Sequence, residues 1–301
     1  MALVSITAGP DGWQGEQDLF AALQALPDGA AVTVMVHGFR FAPGAAAHDP
    51  HRHILALAPT RSCWKAVSWP RHLHLDRPGA GLGIGFGWQA RGRLDRVAQR
   101  AFDIGAQMAG MIRCINMLRP GVHVNIIAHS LGARVALSAL AALPRGDVDR
   151  IILLSGAEYR DHARSAMRSP AGRAVQVLNV TSGENAPFDA LFRLSVPPPR
   201  LTDWPLAAGL PDLAGWTDLR VDCPHGLAAL RSLGFATRAP TTRICHWSTY
   251  LRPGLFRLYR ALCAPGQTDL LPRLAEALHR PGPQRSAAFA IPMRRAAPDR
   301  P

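Results

Sequence analysis

From residue 31 to residue 181 the chain alternates two patterns of apolar positions. Unbroken, largely β-branched runs occupy 31–39 ("AVTVMVHGF"), 122–128, 150–155 ("RIILLS") and 174–181 ("AVQVLNVT"), the composition and length of strands buried on both faces. Between them apolar positions recur every three or four residues, most clearly over 89–118, which predicts one long amphipathic helix ended by Pro120-Gly121. Residues 3–7 ("LVSIT") and 65–69 ("KAVSW", closed by Pro70) predict two further strands. Helices are predicted at 16–26 and at 49–57, the latter with Asp49 as cap and Pro50 in its first position. Strands separated by helices imply an α/β fold with a mostly parallel central sheet flanked by helices.

The last third is less periodic. Residues 190–245 hold "PPPR" (197–200), two tryptophan-containing loops and a weak strand at 217–222, so they form either a small cap over a pocket or an excursion around the last strand. Two helices separated by Pro265-Gly266 are expected over 253–279. Residues 1–280 are expected to make a single domain, and the Pro-, Arg- and Ala-rich residues 281–301 a disordered tail. The glycine-rich stretch 79–87 ("GAGLGIGFG") lacks the G-x-G-x-x-G spacing of a dinucleotide site and is expected to be a flexible pocket rim.

Composition narrows the function classes. The chain has 301 residues, 48% of them hydrophobic, enough for a sizeable core. Its formal charge of +13 comes almost entirely from arginines scattered along the chain, with Lys65 the only lysine. A surface that tracks phosphates needs its cations gathered, so no nucleic-acid partner is expected. Five scattered cysteines without a CxxC pair suit reduced thiols, and the pairs His51/His53 and His72/His74 lack a third ligand at suitable spacing, so no metal is expected. No run has the length of a membrane span and the N-terminus lacks the pattern of a secretory signal, from which a cytoplasmic location is expected.

The chemistry concentrates at the joint between the strand at 122–128 and the helix after it. Ala128-His129-Ser130-Leu131-Gly132 matches G-x-S-x-G with alanine at the first small position. A helix N-cap would explain Ser130 alone, but not the two small residues or the apolar strand before them. A sharp strand-to-helix turn that exposes a nucleophilic hydroxyl requires all three.

With "VMVHGF" (34–39), "AHSLG" (128–132) and a late histidine, the chain resembles the α/β-hydrolase superfamily over about residues 31–260, specifically serine hydrolases of esterase and lipase type. The resemblance implies Ser130 as nucleophile and an oxyanion hole built from the backbone N–H groups of Phe39 and Leu131. It also implies an acid and then a histidine further along the chain. His246, placed before a helix, fits the base best, with His225 as competitor and His162 and His279 less suitably placed. For the acid the sequence departs from the family's G-x-x-D-P, with Ala186 where Asp is usual. Asp189 is the expected acid and Glu184 the alternative, while Asn185 and the remoter Glu158 stay open. The function so implied is hydrolysis of a small-molecule carboxylic ester or thioester through an acyl-enzyme, without a cofactor. The departure at the acid motivates a rival of another class, a non-catalytic α/β-hydrolase domain that binds a ligand or partner.

Overall fold

The computed structural model describes residues 3–60, 63–211 and 213–280; the tail expected to be disordered, 281–301, lies outside them. Eight strands form one sheet: β1 (Leu3–Gly9), β2 (Gly12–Gln14), β3 (Ala31–Val36), β4 (Leu82–Trp88), β5 (His123–His129), β6 (Arg150–Leu154), β7 (Gln176–Thr181) and β8 (Trp216–Arg220). Their order is β2-β1-β4-β3-β5-β6-β7-β8; β2 runs antiparallel to β1 at the edge, and all other pairings are parallel. The sheet is flanked by α1 (Glu16–Gln24), α2 (Trp69–His72), α3 (Leu94–Leu118), α4 (Gly132–Ala141), α5 (Arg160–Met167), α6 (Ala186–Ser195), α7 (Pro224–Ser232), α8 (Ser248–Leu251), α9 (Leu255–Cys263) and α10 (Leu270–His279). This is the α/β architecture expected from the sequence, a mostly parallel central sheet flanked by helices.

Both faces of the sheet are covered, which is why its strands read as unbroken apolar runs. Val32, Val34 and Val36 of β3 and Val124, Ile126 and Ala128 of β5 enter one core with α1, α3, α4 and α5. Met35 and Ile127 enter a second core on the opposite face, with Trp69 of α2, Leu230 of α7, Leu258 of α9 and Leu274 of α10. The period-two alternation places each strand's neighbours on opposite faces. No helix among the described residues is long and apolar enough to cross a membrane.

Three local expectations are corrected. Residues 65–69 form no strand: Ser68 caps α2 by accepting the Arg71 N–H at 3.1 Å, and Pro70 opens that helix instead of closing a strand. The helix expected at 49–57 is only a 3-10 turn, Pro50–Arg52, whose Asp49 accepts the His51 N–H at 3.0 Å. The glycine-rich stretch supplies β4, every residue of which is buried. Leu82, Ile84, Phe86 and Trp88 fill the first core, while a Cβ on Gly87 would lie 2.5 Å from His51 Nε2 and one on Gly85 3.2 Å from the Leu55 Cβ. The alternating glycines thus let residues 50–55 lie directly on the sheet. Residues 190–245 hold the end of α6, the eighth strand and α7.

Candidate active site

The parallel strands all end on one edge of the sheet, where α/β folds carry their ligand crevices. Ser130 stands there, between β5 and α4, with φ of 55°, a left-handed conformation unusual for a side chain with a Cβ. Its N–H donates to the Leu154 carbonyl at 3.0 Å, and its own carbonyl accepts from Ala133 and Ala157 at 3.0 and 2.9 Å, so the turn is fixed from both sides. The small residues around it are sterically required. A Cβ on Gly38 would lie 2.6 Å from the Ser130 Cβ, and one on Gly132 would lie 2.8 Å from the carbonyl oxygens of Val36 and His37.

The turn after β3 is braced by His37. Its Nδ1 donates to the Gly38 carbonyl at 2.9 Å and its Nε2 accepts the Trp88 N–H at 3.0 Å, while the Trp88 indole donates to the His37 carbonyl at 3.1 Å. Burial pushes His37 down to about 3, which keeps both bonds in place with a neutral ring. Phe39 follows this turn. Phe39 and Leu131 line the same cavity as Ser130, and neither backbone N–H has a hydrogen-bond partner among the described residues.

His246 lies in the loop between α7 and α8, in the same cavity. Its Nδ1 donates to Asn185 Oδ1 at 2.6 Å, and Phe188 stacks on the ring with centroids 4.7 Å apart. Burial, with His129 and Lys65 nearby, pushes its pKa well below the ordinary histidine value, so the ring stays neutral across neutral pH and keeps one nitrogen lone pair unprotonated. His129, the residue before Ser130, donates from Nε2 to the His246 carbonyl at 3.1 Å and so anchors the loop. Burial pushes His129 down to about 4.

The other sequence candidates separate clearly. His225 Nε2 donates to the Leu278 carbonyl at 2.7 Å, on a different part of the molecule, and His279 Nδ1 donates within its own helix to Ala275. His162 donates to Glu158, whose carboxylate also receives Arg134 and the Tyr159 N–H, so Glu158 has no oxygen to spare for a distant imidazole. Arg134, Glu158, Tyr159 and His162 line a separate, larger cleft of about 570 Å³. Glu184 is likewise occupied, by Arg252, Ser182 and Thr242. Asp189 does line the cavity, yet the bond to His246 comes from Asn185, and Asp189 Oδ1 accepts from Asn185 Nδ2 at 2.8 Å. The acid expected from the sequence therefore stands one residue behind the imidazole.

Burial pushes Asp189 up to about 7, only partly offset by Asn185, and no cation pairs with it among the described residues. A carboxyl whose native pKa exceeds the unfolded value near 3.9 contributes stability that is present at low pH and lost as pH rises through the native value. Asp189→Asn is therefore expected to raise the melting temperature more at pH 8 than at pH 4.5, by roughly 2–4 °C for each kcal/mol relieved. Equal shifts at the two pH values would show that the carboxyl is not desolvated.

The cavity, about 220 Å³, is mostly apolar, walled by Phe39, Phe41, Leu94, Phe188, Phe192 and Trp247. At its rim the Lys65 ammonium sits 3.5 Å from the centre of the Trp247 ring, and Trp64 packs edge-on against Trp247. The histidine pairs weighed as metal ligands lie apart from this chemistry: His51 Nε2 bonds Thr7, His53 Nε2 contacts Cys63, His72 bonds the Ser68 carbonyl and His74 meets Arg260. No group of three or more metal-ligating side chains occurs among the described residues.

No protein-family model and no curated protein matches the chain. Among solved structures it is similar to a candidate cell surface hydrolase from Lactobacillus plantarum WCFS1, at 12% identity over 79% of this chain and 99% of that one, with a TM-score of 0.38. It is similar to an acetylxylan esterase at 10% identity over 83% and 99%, with a TM-score of 0.34. A lipase-esterase related protein from Clostridium acetobutylicum follows at 9% over 55% and 82%, with a TM-score of 0.28.

Proposed function

We propose that this chain is a serine hydrolase that cleaves a carboxylic ester or thioester of modest size through an acyl-enzyme at Ser130. The observation that carries this reading is the left-handed Ser130 at a strand–helix joint, sharing one apolar cavity with a His246 whose Nδ1 is held by Asn185. With its proton on Nδ1, the imidazole presents the Nε2 lone pair as general base. Ser130 Oγ attacks the substrate carbonyl while His246 takes its proton. The carbonyl oxygen becomes an oxyanion facing the N–H groups of Phe39 and Leu131, each such donor typically worth about 3–4 kcal/mol to the transition state. His246 then protonates the leaving alkoxide or thiolate, and water reverses the sequence to release the acid.

Asn185 does the orienting work that a carboxylate does in the Ser-His-Asp arrangement, as an asparagine does in the Cys-His-Asn variant. The aromatic walls and the volume of about 220 Å³ suit a short or medium acyl group. The test is covalent labelling by a fluorophosphonate probe, which needs an activated serine. Wild type is expected to label and Ser130→Ala not to. An unlabelled, folded wild type would favour a binding module, the reading to which the neutral Asn185 gives weight.

A further inference from the structure

We propose that Asp189 is a positioning residue: by accepting the side-chain N–H of Asn185, it holds the Asn185 carbonyl oxygen, and not its NH₂, against His246 Nδ1. The inference rests on the reading of Ser130 and His246 as nucleophile and base. A carboxamide has two ends of nearly equal shape and opposite hydrogen-bonding character. If Asn185 presented its NH₂ to His246, Nδ1 would have to accept, the ring proton would move to Nε2, and the atom that must take the serine proton would already carry one. Something must therefore break the symmetry of the amide.

Geometry places Asp189 to do so. Asn185 immediately precedes α6 as its N-cap and Asp189 lies in the first turn, four residues on, so the start of the helix brings the two side chains together, with Nδ2 and Oδ1 2.8 Å apart. The main chain at Asn185 is fixed by its N–H to the Ser182 carbonyl at 3.0 Å, and the side chain is buried. Above about pH 7, where Asp189 is ionised, its carboxylate only accepts, so of the two ends of the amide only the NH₂ can bond to it. The carbonyl is then left for His246, 2.6 Å away. An acid merely stabilising the first turn of a helix would make no such demand on its neighbour. The arrangement also accounts for a half-buried carboxyl that no cation neutralises among the described residues: its partner is a neutral amide that needs an acceptor.

The experiment is a double-mutant cycle joined to ring ¹⁵N NMR of His246 at pH 8. Asp189→Ala is expected to lower kcat on a nitrophenyl ester by about 10²-fold, less than the full loss caused by a wrong tautomer because the amide still faces correctly part of the time. KM should stay within about twofold. With Asn185→Asp in place, either carboxylate oxygen can accept from Nδ1, so Asp189→Ala should then cost less than about threefold. In the spectra, His246 of wild type should carry its proton on Nδ1, and Asp189→Ala should show both tautomers. Asp189→Asn keeps the shape of the side chain and serves if the alanine variant does not fold; mixed tautomers are expected there too, because its amide can meet Asn185 by either end. An equal loss of kcat in both backgrounds, or a His246 proton that stays on Nδ1 in the variants, would overturn the proposal. If wild type neither labels nor turns over ester, the hydrolase reading fails by itself, and the NMR comparison still decides whether Asp189 orients Asn185.

Discussion

Replacing His246 by alanine is expected to lower ester turnover by about 10⁴- to 10⁶-fold while leaving the protein folded. The ring makes one side-chain hydrogen bond, to Asn185, stacks on Phe188 and packs against the His129 and Trp247 rings; the bond that anchors its loop, from His129, goes to the His246 backbone carbonyl and survives the substitution. What is lost, on the function proposed above, is the proton acceptor. Without it the Ser130 hydroxyl must give its proton to water, and the leaving group must depart unprotonated, so both acylation and deacylation suffer. His225→Ala supplies the contrast: its imidazole bonds the Leu278 carbonyl, and turnover should stay within a few-fold of wild type. Steady-state kinetics on a nitrophenyl ester, with melting curves for each variant, make the check. A His246→Ala enzyme with turnover near wild type would remove His246 from the chemistry. Because burial, His129 and Lys65 lower the His246 pKa, the wild-type rate should not fall away at pH 6.5 through protonation of this ring, as it would with an ordinary histidine.

How much of this was legible in the sequence depended on whether the signal was local. β3, β5, β6 and β7 were readable because a strand covered on both faces has no polar alternation to confuse it, and the run length alone marks it. The joint at Ser130 was readable because three close positions, 128, 130 and 132, answer to one steric requirement. β4 was not readable as a strand, since its alternate glycines look like a loop until the segment 50–55 is seen lying on that face. Residues 65–69 misled for the opposite reason: a β-like composition gave way to a serine cap and a proline at a helix start. At the site, the partner of His246 lay beyond local reasoning. Glu184, Asn185 and Asp189 stand within six residues, and only the turn from β7 into α6 decides that Glu184 faces Arg252 while Asn185 faces the imidazole. His129 carries no sequence signal for its role, because the carbonyl that it supports belongs to a residue 117 positions away.

The largest loss of stability is expected from Arg134, which lies one helical turn beyond Ser130. Its guanidinium meets the Glu158 carboxylate through two bonds, Nε at 2.8 Å and Nη2 at 2.7 Å, with both side chains almost wholly buried. Burial works to raise the Glu158 pKa, but the Arg134 charge and the His162 hydrogen bond outweigh it, so the carboxylate stays ionised at neutral pH. In Arg134→Met that charge remains buried with His162 and the Tyr159 N–H as partners and no permanent cation. Removing one partner of such a pair costs about 3–5 kcal/mol, a fall in melting temperature of roughly 10 °C in a domain of this size. The double variant Arg134→Met/Glu158→Leu leaves no stranded charge, and should be more stable than the single one. The same pair ties the helix that follows Ser130 to the loop after β6, whose Ala157 N–H bonds the Ser130 carbonyl. Esterase activity of Arg134→Met should therefore fall even at temperatures where the protein is still folded, as the left-handed turn at Ser130 loses one of its supports. Melting curves at pH 7.5 for the single and double variants decide the matter. A single variant as stable as wild type, or a double variant less stable than the single, would show that the pair is not what holds this loop to α4.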